Sequence, residues 1–114
     1  VPLTEKTKNM LDYSKLKTVK NTAIIINTSR GGIINEADLD KAINDKIIFG
    51  AGLDVFEKEP VDINNPLLKN NKVLLSPHSA TFTNECKSRM SIETTKNIID
   101  FFENKIDKSM IVKI

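Results

Sequence analysis

Three apolar runs in the sequence are short, rich in β-branched or leucine residues, and do not alternate with polar residues. They cover Ala23–Ile26, Ile47–Leu53 and Val73–Leu75. Runs of this kind are typical of strands that are buried on both faces of a parallel sheet. A helix between two such strands makes a right-handed βαβ unit. The pattern therefore predicts an α/β fold with parallel strands.

The first two strands are separated by a segment with helical spacing. Asn35 followed by Asp38 is an approximate capping box, and Leu39, Ala42 and Ile43 then recur on one helical face. This segment is expected to pack against the strand that precedes it.

A longer helix is predicted after the third strand. Thr83 is a suitable N-cap, and the helix is expected to end at about Asn104. Its buried stripe is expected to contain Met90, Thr94, Ile98 and either Phe101 or Phe102. Shorter helical turns are predicted at Thr4, after Ser14 as an N-cap, and at Pro66–Leu68 within the Val61–Lys72 loop.

The composition excludes several classes of function. With 114 residues, the chain is one domain or part of one. The 17 basic and 15 acidic side chains are spread along the sequence, so no basic patch indicates nucleic-acid binding. The apolar runs reach only about seven residues, far short of the roughly 20 that span a bilayer. Cys86 is the only cysteine, which excludes an intramolecular disulfide and favours a cytoplasmic location.

Polar residues follow each predicted strand. Asn27–Arg30 follow the first strand, Asp54–Pro60 the second and Ser76–His78 the third. In an open parallel sheet, ligands bind beyond the carboxyl ends of the strands. An arginine, a carboxylate and the chain's only histidine are therefore expected to converge on one crevice.

The residues alone leave the roles of these side chains open. On spacing alone, Arg30 is equally consistent with a structural ion pair, and a lone histidine such as His78 is more often structural than catalytic. Glu57 and Glu59 are too close together for spacing to separate them. From residue type alone, Asp54 favours a turn or helix cap.

Four segments resemble the D-isomer-specific 2-hydroxyacid dehydrogenases. Asn27–Gly31 is similar to the family's N-x-[AS]-R-G motif, and Ser76–His78 is similar to its [ST]-P-H motif. Asp54–Pro60 resembles D-V-F-x-x-E-P, and the opening Val-Pro-Leu-Thr resembles V-P-L-T. The resemblance implies a partial Rossmann-type doubly wound parallel sheet. It also implies that residues 1–114 are the carboxyl-terminal part of a dinucleotide-binding domain within a larger parent enzyme.

The resemblance implies an activity and a role for each catalytic residue. The parent enzyme would transfer a hydride between NAD(H) and a 2-keto or D-2-hydroxy acid. Arg30 would bind the substrate carboxylate through two hydrogen bonds and polarise the carbonyl. His78 would exchange the proton, and Glu59, the glutamate before the proline, would orient His78 and favour its protonated form. Glu57 would then face solvent.

The resemblance also implies a cofactor site and partners. NAD is expected rather than NADP, as the commoner choice of the family, and no metal is expected. Asp54 would hydrogen-bond the nicotinamide carboxamide. The parent is expected to be a cytoplasmic homodimer that binds a small-molecule acid and neither nucleic acid nor membrane. The expected cofactor-binding residues are Val1, Thr28, Ser29, Arg30, Asp54, His78, Ser79, Ala80 and Thr81.

Two departures from the family pattern limit these expectations. Ser79-Ala80-Thr81 follow the histidine, where many members have Ile-Gly-Gly. The sequence also has no G-x-G-x-x-G between a strand and a helix, and no acidic residue about 20 positions after one. Since the glycine-rich phosphate loop and the substrate domain are absent from this sequence, a fragment that is inactive alone is expected.

Two alternatives remain. A non-catalytic module that senses a dinucleotide, such as a corepressor of the same fold, would keep similar residues. Formate dehydrogenases share the domain but normally have glutamine where this sequence has Glu59. Glu59 therefore argues against a formate dehydrogenase.

Overall fold

A computed structural model describes residues 1–112, which form two compact units. The first unit is Val1–Ala80, and the second begins at Thr81. The elements of the first unit are α1 (Tyr13–Leu16), β1 (Ile24–Asn27), α2 (Glu36–Asn44), β2 (Gly50–Leu53), a 3₁₀ helix (Pro66–Lys69) and β3 (Val73–Leu75). Those of the second are α3 (Asn84–Phe102) and a 3₁₀ helix (Lys108–Met110).

The three strands form one parallel sheet in the order β1-β2-β3. Leu53 at the end of β2 pairs with Asn27 at the end of β1 and with Leu75 at the end of β3. The segments that follow the strands therefore begin at the same edge of the sheet. This confirms the predicted α/β fold.

The helix α2 covers one face of the sheet. Asn35 is its N-cap, and the Asn35 side chain accepts a hydrogen bond from the backbone N–H of Asp38 at 3.0 Å. The predicted apolar face is buried as expected. It forms one core with the inward residues of β2 and with α1; the members are Leu16, Leu39, Ala42, Ile43, Ala51 and Leu53.

The outer strands β1 and β3 each expose one face, so the prediction of burial on both faces is wrong for these two strands. Ile26 is 71% exposed and Leu74 is 79% exposed. They lie on either side of Gly52 in the sheet register. Because α2 packs against the opposite face, this β-branched and leucine-rich face is left open.

The second strand is shorter than predicted. It begins at Gly50 rather than Ile47, because the backbone N–H of Ile47 donates to the carbonyl of Ala42 at 2.9 Å and closes the carboxyl end of α2. Lys46 adopts the left-handed region, with φ of 59°. Ile48 is 1% exposed and joins the core from this turn. Apolar character alone did not distinguish a helix end from a strand start.

The N-cap of α1 is Asp12 rather than the predicted Ser14. The Asp12 carboxylate accepts from the backbone N–H of Lys15 at 2.9 Å and from the hydroxyl of Ser14 at 2.6 Å. A charged acceptor at this position binds the free N–H groups of the first turn well. Asp38 accepts from the backbone N–H of Tyr13 at 3.0 Å, which ties α1 to α2 and leaves the predicted capping box half formed.

The helix α3 begins where predicted. The hydroxyl of its N-cap, Thr83, accepts from the backbone N–H of Cys86 at 3.1 Å. The helix ends at Phe102, two residues earlier than expected, and Asn104 has a left-handed φ of 56°. The predicted buried stripe is wrong, because no residue of α3 is buried. Helical spacing identifies an apolar face but does not supply the surface that covers it.

Candidate active site

The turn after β1 is shaped by Asn27. This side chain is 6% exposed, and its Oδ1 accepts from the backbone N–H and the hydroxyl of Ser29 at 3.1 and 2.9 Å. Its Nδ2 donates to the carbonyl of Arg30 at 2.9 Å. An amide carries its donor and its acceptor on two separate atoms, whereas an ionised carboxylate only accepts and a hydroxyl has a single oxygen for both. The sequence analysis gave Asn27 only as part of a motif and missed this role, although a polar residue at the end of an apolar strand was the available signal.

The side chain of Arg30 is held by its own turn. Its Nη1 donates to the carbonyl of Ser29 at 2.7 Å, and the residue is exposed. Within residues 1–112, Arg30 takes part in no ion pair. The structural alternative of a carboxylate partner at the strand end is therefore not realised, and most of the guanidinium donors remain available.

A cleft of about 660 Å³ opens beside Arg30. Two segments that are distant in sequence form its walls: residues 1–3 and residues 28–30. Four of the predicted cofactor-binding residues, Val1, Thr28, Ser29 and Arg30, therefore line one cleft.

The turn after β1 touches the segment after β2 through Gly31. A Cβ built on Gly31 would overlap the carbonyl group of Phe56 and lie 2.6 Å from the backbone N of Glu57. Only a residue without a side chain permits this approach of the two backbones. The segment that carries Arg30 is thereby placed against the segment that carries the glutamates.

The structure brings Glu59 to His78. Oε2 of Glu59 lies 2.8 Å from Nδ1 of His78, and Oε1 accepts from the backbone N–H of Phe56 at 3.0 Å. The hydrogen bond to His78, followed by the one from Phe56, lowers the pKa of Glu59 below its usual 4.5. A carboxylate on Nδ1 holds the proton at that nitrogen and leaves Nε2 for a reacting group.

Glu57 is exposed, as expected, but its side chain also has hydrogen-bond partners within the chain. Its Oε1 accepts from the backbone N–H of Glu36 at 3.2 Å, and its own N–H donates to Oε1 of Glu36 at 2.6 Å. Glu57 therefore contacts Glu36, 21 positions away, whereas Glu59 contacts His78.

The turn that carries His78 is organised by Asp54. Asp54 is 3% exposed; its Oδ1 accepts from the hydroxyl of Ser76 at 2.6 Å and from the N–H of Ser79 at 2.8 Å, and its Oδ2 accepts from the N–H of Ala80 at 2.9 Å. The hydroxyl of Ser76, followed by the two backbone donors and the nearby charge of His78, lowers the pKa of Asp54 below 3.8. The carboxylate thus remains charged at neutral pH and gathers the turn around itself.

His78 itself has a left-handed backbone conformation, with φ of 51°. This is uncommon for a residue with a side chain and persists where surrounding contacts impose it. Here the N–H of His78 donates to the carbonyl of Asp54 at 2.8 Å. Asp54 therefore holds the backbone at His78 and at the two residues that follow it, and so positions the imidazole. The role predicted for Asp54, a hydrogen bond to the nicotinamide carboxamide, did not include this contribution.

The remaining predicted residues have different positions. Ser79 and Ala80 contribute the N–H groups bound by Asp54. Thr81 begins the second unit, and its part in a site stays a prediction. Across residues 1–112, no group of three or more His, Cys, Asp or Glu side chains is placed to hold a metal ion. No helix in that range is long and apolar enough to cross a membrane.

The comparisons with known proteins agree on one family. Residues 1–80 match the family described as D-isomer specific 2-hydroxyacid dehydrogenase, NAD binding domain. Over 111 residues, or 97% of its length, the chain is 43% identical to a glyoxylate reductase of Korarchaeum cryptofilum, of which it covers 33%. The chain thus spans about a third of the length of the curated relatives it matches.

Two solved structures show the same fold over nearly the whole chain. An acyclic imino acid reductase in complex with NADPH and D-Arg superposes with a TM-score of 0.83 at 31% identity, covering 93% of this chain and 34% of that one. A D-lactate dehydrogenase with NAD⁺ from Lactobacillus jensenii gives a TM-score of 0.80 at 28% identity, covering 100% of this chain and 38% of that one.

Proposed function

The chain belongs to the family of NAD-binding domains of D-isomer-specific 2-hydroxyacid dehydrogenases, and we propose that it supplies the catalytic side chains of an NAD-dependent 2-keto acid reductase. The observation that carries this proposal is the 2.8 Å contact between Glu59 and His78. It lies at the same sheet edge as Arg30, whose guanidinium has no ion-pair partner within residues 1–112. Residues 1–114 would be the carboxyl-terminal part of the dinucleotide-binding domain.

Arg30 binds and polarises the substrate. A 2-keto acid has a planar carboxylate beside its carbonyl, and a guanidinium matches that plane with parallel N–H donors. The hydrogen bond from Nη1 to the carbonyl of Ser29 holds the group in place and leaves other N–H donors for the substrate. The positive charge of the guanidinium stabilises the negative charge that develops on the carbonyl oxygen during reduction.

His78 supplies the proton. In the reducing direction, the hydride for the carbonyl carbon would come from the bound nicotinamide. The carbonyl oxygen then takes a proton from Nε2 of His78, which leaves a D-2-hydroxy acid and a neutral imidazole. The Glu59 carboxylate on Nδ1 stabilises the protonated imidazole before transfer and keeps the correct nitrogen free. Oxidation runs the same steps in reverse.

The cleft beside Arg30 supports a place for the nicotinamide end of the cofactor. It is lined by backbone and small polar side chains of residues 28–30 together with Val1. NAD is proposed rather than NADP because the family description specifies NAD, although structures of relatives hold NAD⁺ or NADPH. Asp54, Ser79, Ala80 and Thr81 are proposed to complete the site through the turn around His78.

A two-carbon or three-carbon 2-keto acid is the proposed substrate class, since a relative at 43% identity is a glyoxylate reductase. The proposed complete enzyme is a cytoplasmic homodimer, on the family resemblance and on the single cysteine.

A chimera tests this proposal directly. The 114 residues replace the matching third of the Korarchaeum cryptofilum reductase, and NADH oxidation is followed with glyoxylate and with hydroxypyruvate. His78→Gln should lower kcat by roughly a hundredfold or more, the usual contribution of a general acid. Lys58→Gln, a charge change in the same exposed loop, should leave kcat unchanged. A chimera that binds NADH without turning over either acid would favour the dinucleotide-sensing alternative.

A further inference from the structure

The loop that carries Glu59 has few apolar contacts of its own. Residues 57–60 are all exposed, whereas Val55 and Phe56 at the start of the loop are buried. An exposed segment after a buried anchor is held mainly by polar contacts, and without them it moves freely. The position of the Glu59 carboxylate therefore depends on what holds the loop beyond Phe56.

Glu36 holds the loop at that point. Its Oε1 accepts from the backbone N–H of Glu57 at 2.6 Å, and its Oε2 accepts from Nδ2 of Asn65 at 2.7 Å. In return, Glu57 Oε1 accepts from the backbone N–H of Glu36 at 3.2 Å. One carboxylate thus connects the Glu59 loop, the first residue of α2 and the segment before the 3₁₀ helix.

Both of the elements that Glu36 connects to the loop are anchored in the core. Asn65 Oδ1 accepts from the N–H of Leu67, which is fully buried. On the other side, Glu36 opens α2, whose Leu39 is also fully buried. Glu36 therefore transmits the rigidity of the core to an exposed loop.

We infer that Glu36 is a positioning residue for the reaction, because it fixes the loop that places Glu59 against His78. The inference rests on the proposed function, since it assigns Glu36 a purpose only if the contact between Glu59 and His78 is used. Glu36 touches neither the imidazole nor the cleft beside Arg30 in the contacts described. A purely structural role for Glu36 would stabilise the fold without affecting that contact.

The test uses the full 114-residue chain and needs no turnover. His78 is the only histidine, so NMR gives one imidazole titration without ambiguity. Its neighbouring carboxylates are Glu59 and Asp54. Glu59→Gln should move the midpoint of the His78 titration to lower pH, because a carboxylate favours the imidazolium. Glu36→Ala should move it in the same direction.

Amide exchange provides a second readout that does not depend on charge near the imidazole. The N–H of Phe56 donates to Glu59 Oε1 and has no direct contact with Glu36. In Glu36→Ala, this amide should exchange about tenfold faster or more, which corresponds to the loss of a hydrogen bond to a charged group from the loop. Glu36→Gln keeps one oxygen acceptor and should give a smaller change in both readouts. It also serves if Glu36→Ala does not fold.

Asp38→Ala is the matched control. Asp38 lies in the same first turn of α2 and accepts one backbone N–H, from Tyr13, so its loss also weakens the fold. It should leave the His78 midpoint and the Phe56 exchange rate unchanged. If Asp38→Ala changes both as Glu36→Ala does, or if Glu36→Ala and Glu36→Gln change neither, the inference is overturned while the proposed function stands. If Glu59→Gln leaves the midpoint unmoved, the proposed function fails and the inference fails with it.

Discussion

Gly31 offers the sharpest test of how the site is assembled. Its backbone lies against the peptide between Phe56 and Glu57, so that a Cβ would overlap the Phe56 carbonyl and lie 2.6 Å from the Glu57 nitrogen. These are backbone atoms next to a phenylalanine that is only 9% exposed, and they have no flexible end that can move aside. Gly31→Ala therefore forces the turn after β1 and the segment after β2 apart.

The expected cost follows from this overlap. Forcing a methyl group into a packed region costs about 1–3 kcal/mol, and a clash with backbone on both sides belongs at the upper end. The new alanine also restricts the unfolded chain, which offsets about 0.4–1 kcal/mol. Because Gly31 does not have a left-handed φ, alanine adds no backbone strain. The net expectation is a loss of about 2 kcal/mol or more.

Gly52→Ala is the matched control. Its Cβ would meet only Cγ1 and Cγ2 of Ile26, at 3.7 and 3.9 Å, which is ordinary van der Waals contact. Because both variants change the unfolded chain alike, their difference isolates the clash at Gly31. Gly52→Ala should be neutral or more stable by up to about 1 kcal/mol.

Urea unfolding of the 114-residue chain, followed by circular dichroism, measures both variants. The comparison is between transition midpoints at unchanged m-values. If Gly31→Ala is as stable as Gly52→Ala, the two backbones are not in the contact described, and the placement of Arg30 beside the Glu59 loop loses its support.

Further predictions concern the side chains themselves. In the chimera, Arg30→Lys should lower kcat/KM by about a hundredfold or more, since the ammonium keeps the charge but loses the two-pronged carboxylate contact; near-normal activity would leave Arg30 without a role in catalysis. Reduction requires protonated His78, so reductase activity falls as the pH rises. Glu59→Gln should move this fall to lower pH, because the carboxylate that favours the protonated imidazole is lost. Glu57→Gln should leave the pH profile unchanged. If only Glu57→Gln shifted the pH profile, the role of supporting His78 would belong to Glu57 rather than Glu59. Because the pKa of Asp54 is depressed, its contribution to stability is fully present above the ordinary value of 3.8 and is lost as the pH falls from there through the lowered pKa of the folded state. Urea midpoints should therefore decline more steeply on acidification in the unaltered chain than in Asp54→Asn. Calorimetry should detect no micromolar NAD binding by the 114 residues alone, since the sequence has no glycine-rich phosphate loop.

Local features were predictable because they depend on neighbouring residues. The N-caps Asn35 and Thr83 are where the sequence pattern indicated, since a cap hydrogen bond spans only three residues. The short helix at Pro66 follows the same logic. The N-cap of α1 was misassigned to Ser14, because Asp12 and Ser14 both suit the position and only the folded chain selects between them.

The residue pattern predicted that polar segments converge, but it did not determine which glutamate contacts the histidine. Glu57 and Glu59 differ by two positions, and the family resemblance alone favoured Glu59. In the structure Glu59 meets a histidine 19 positions away, while Glu57 meets Glu36 across 21 positions. The two side chains have different partners because the backbone of the folded loop points them in different directions.

The order of strands and helices, the N-caps of α2 and α3, and the convergence of polar segments at one sheet edge could be predicted from the sequence, because they follow from periodicity, from strand order along the chain and from short-range hydrogen bonds. The tertiary structure decided which faces are covered. Ile26 and Leu74 are apolar residues of the kind that is typical of a sheet buried on both faces, yet both are exposed. No residue of α3 is buried either. Burial is a property of two surfaces that meet, so one strand or helix encodes its own apolar face and only the packed chain decides what covers it.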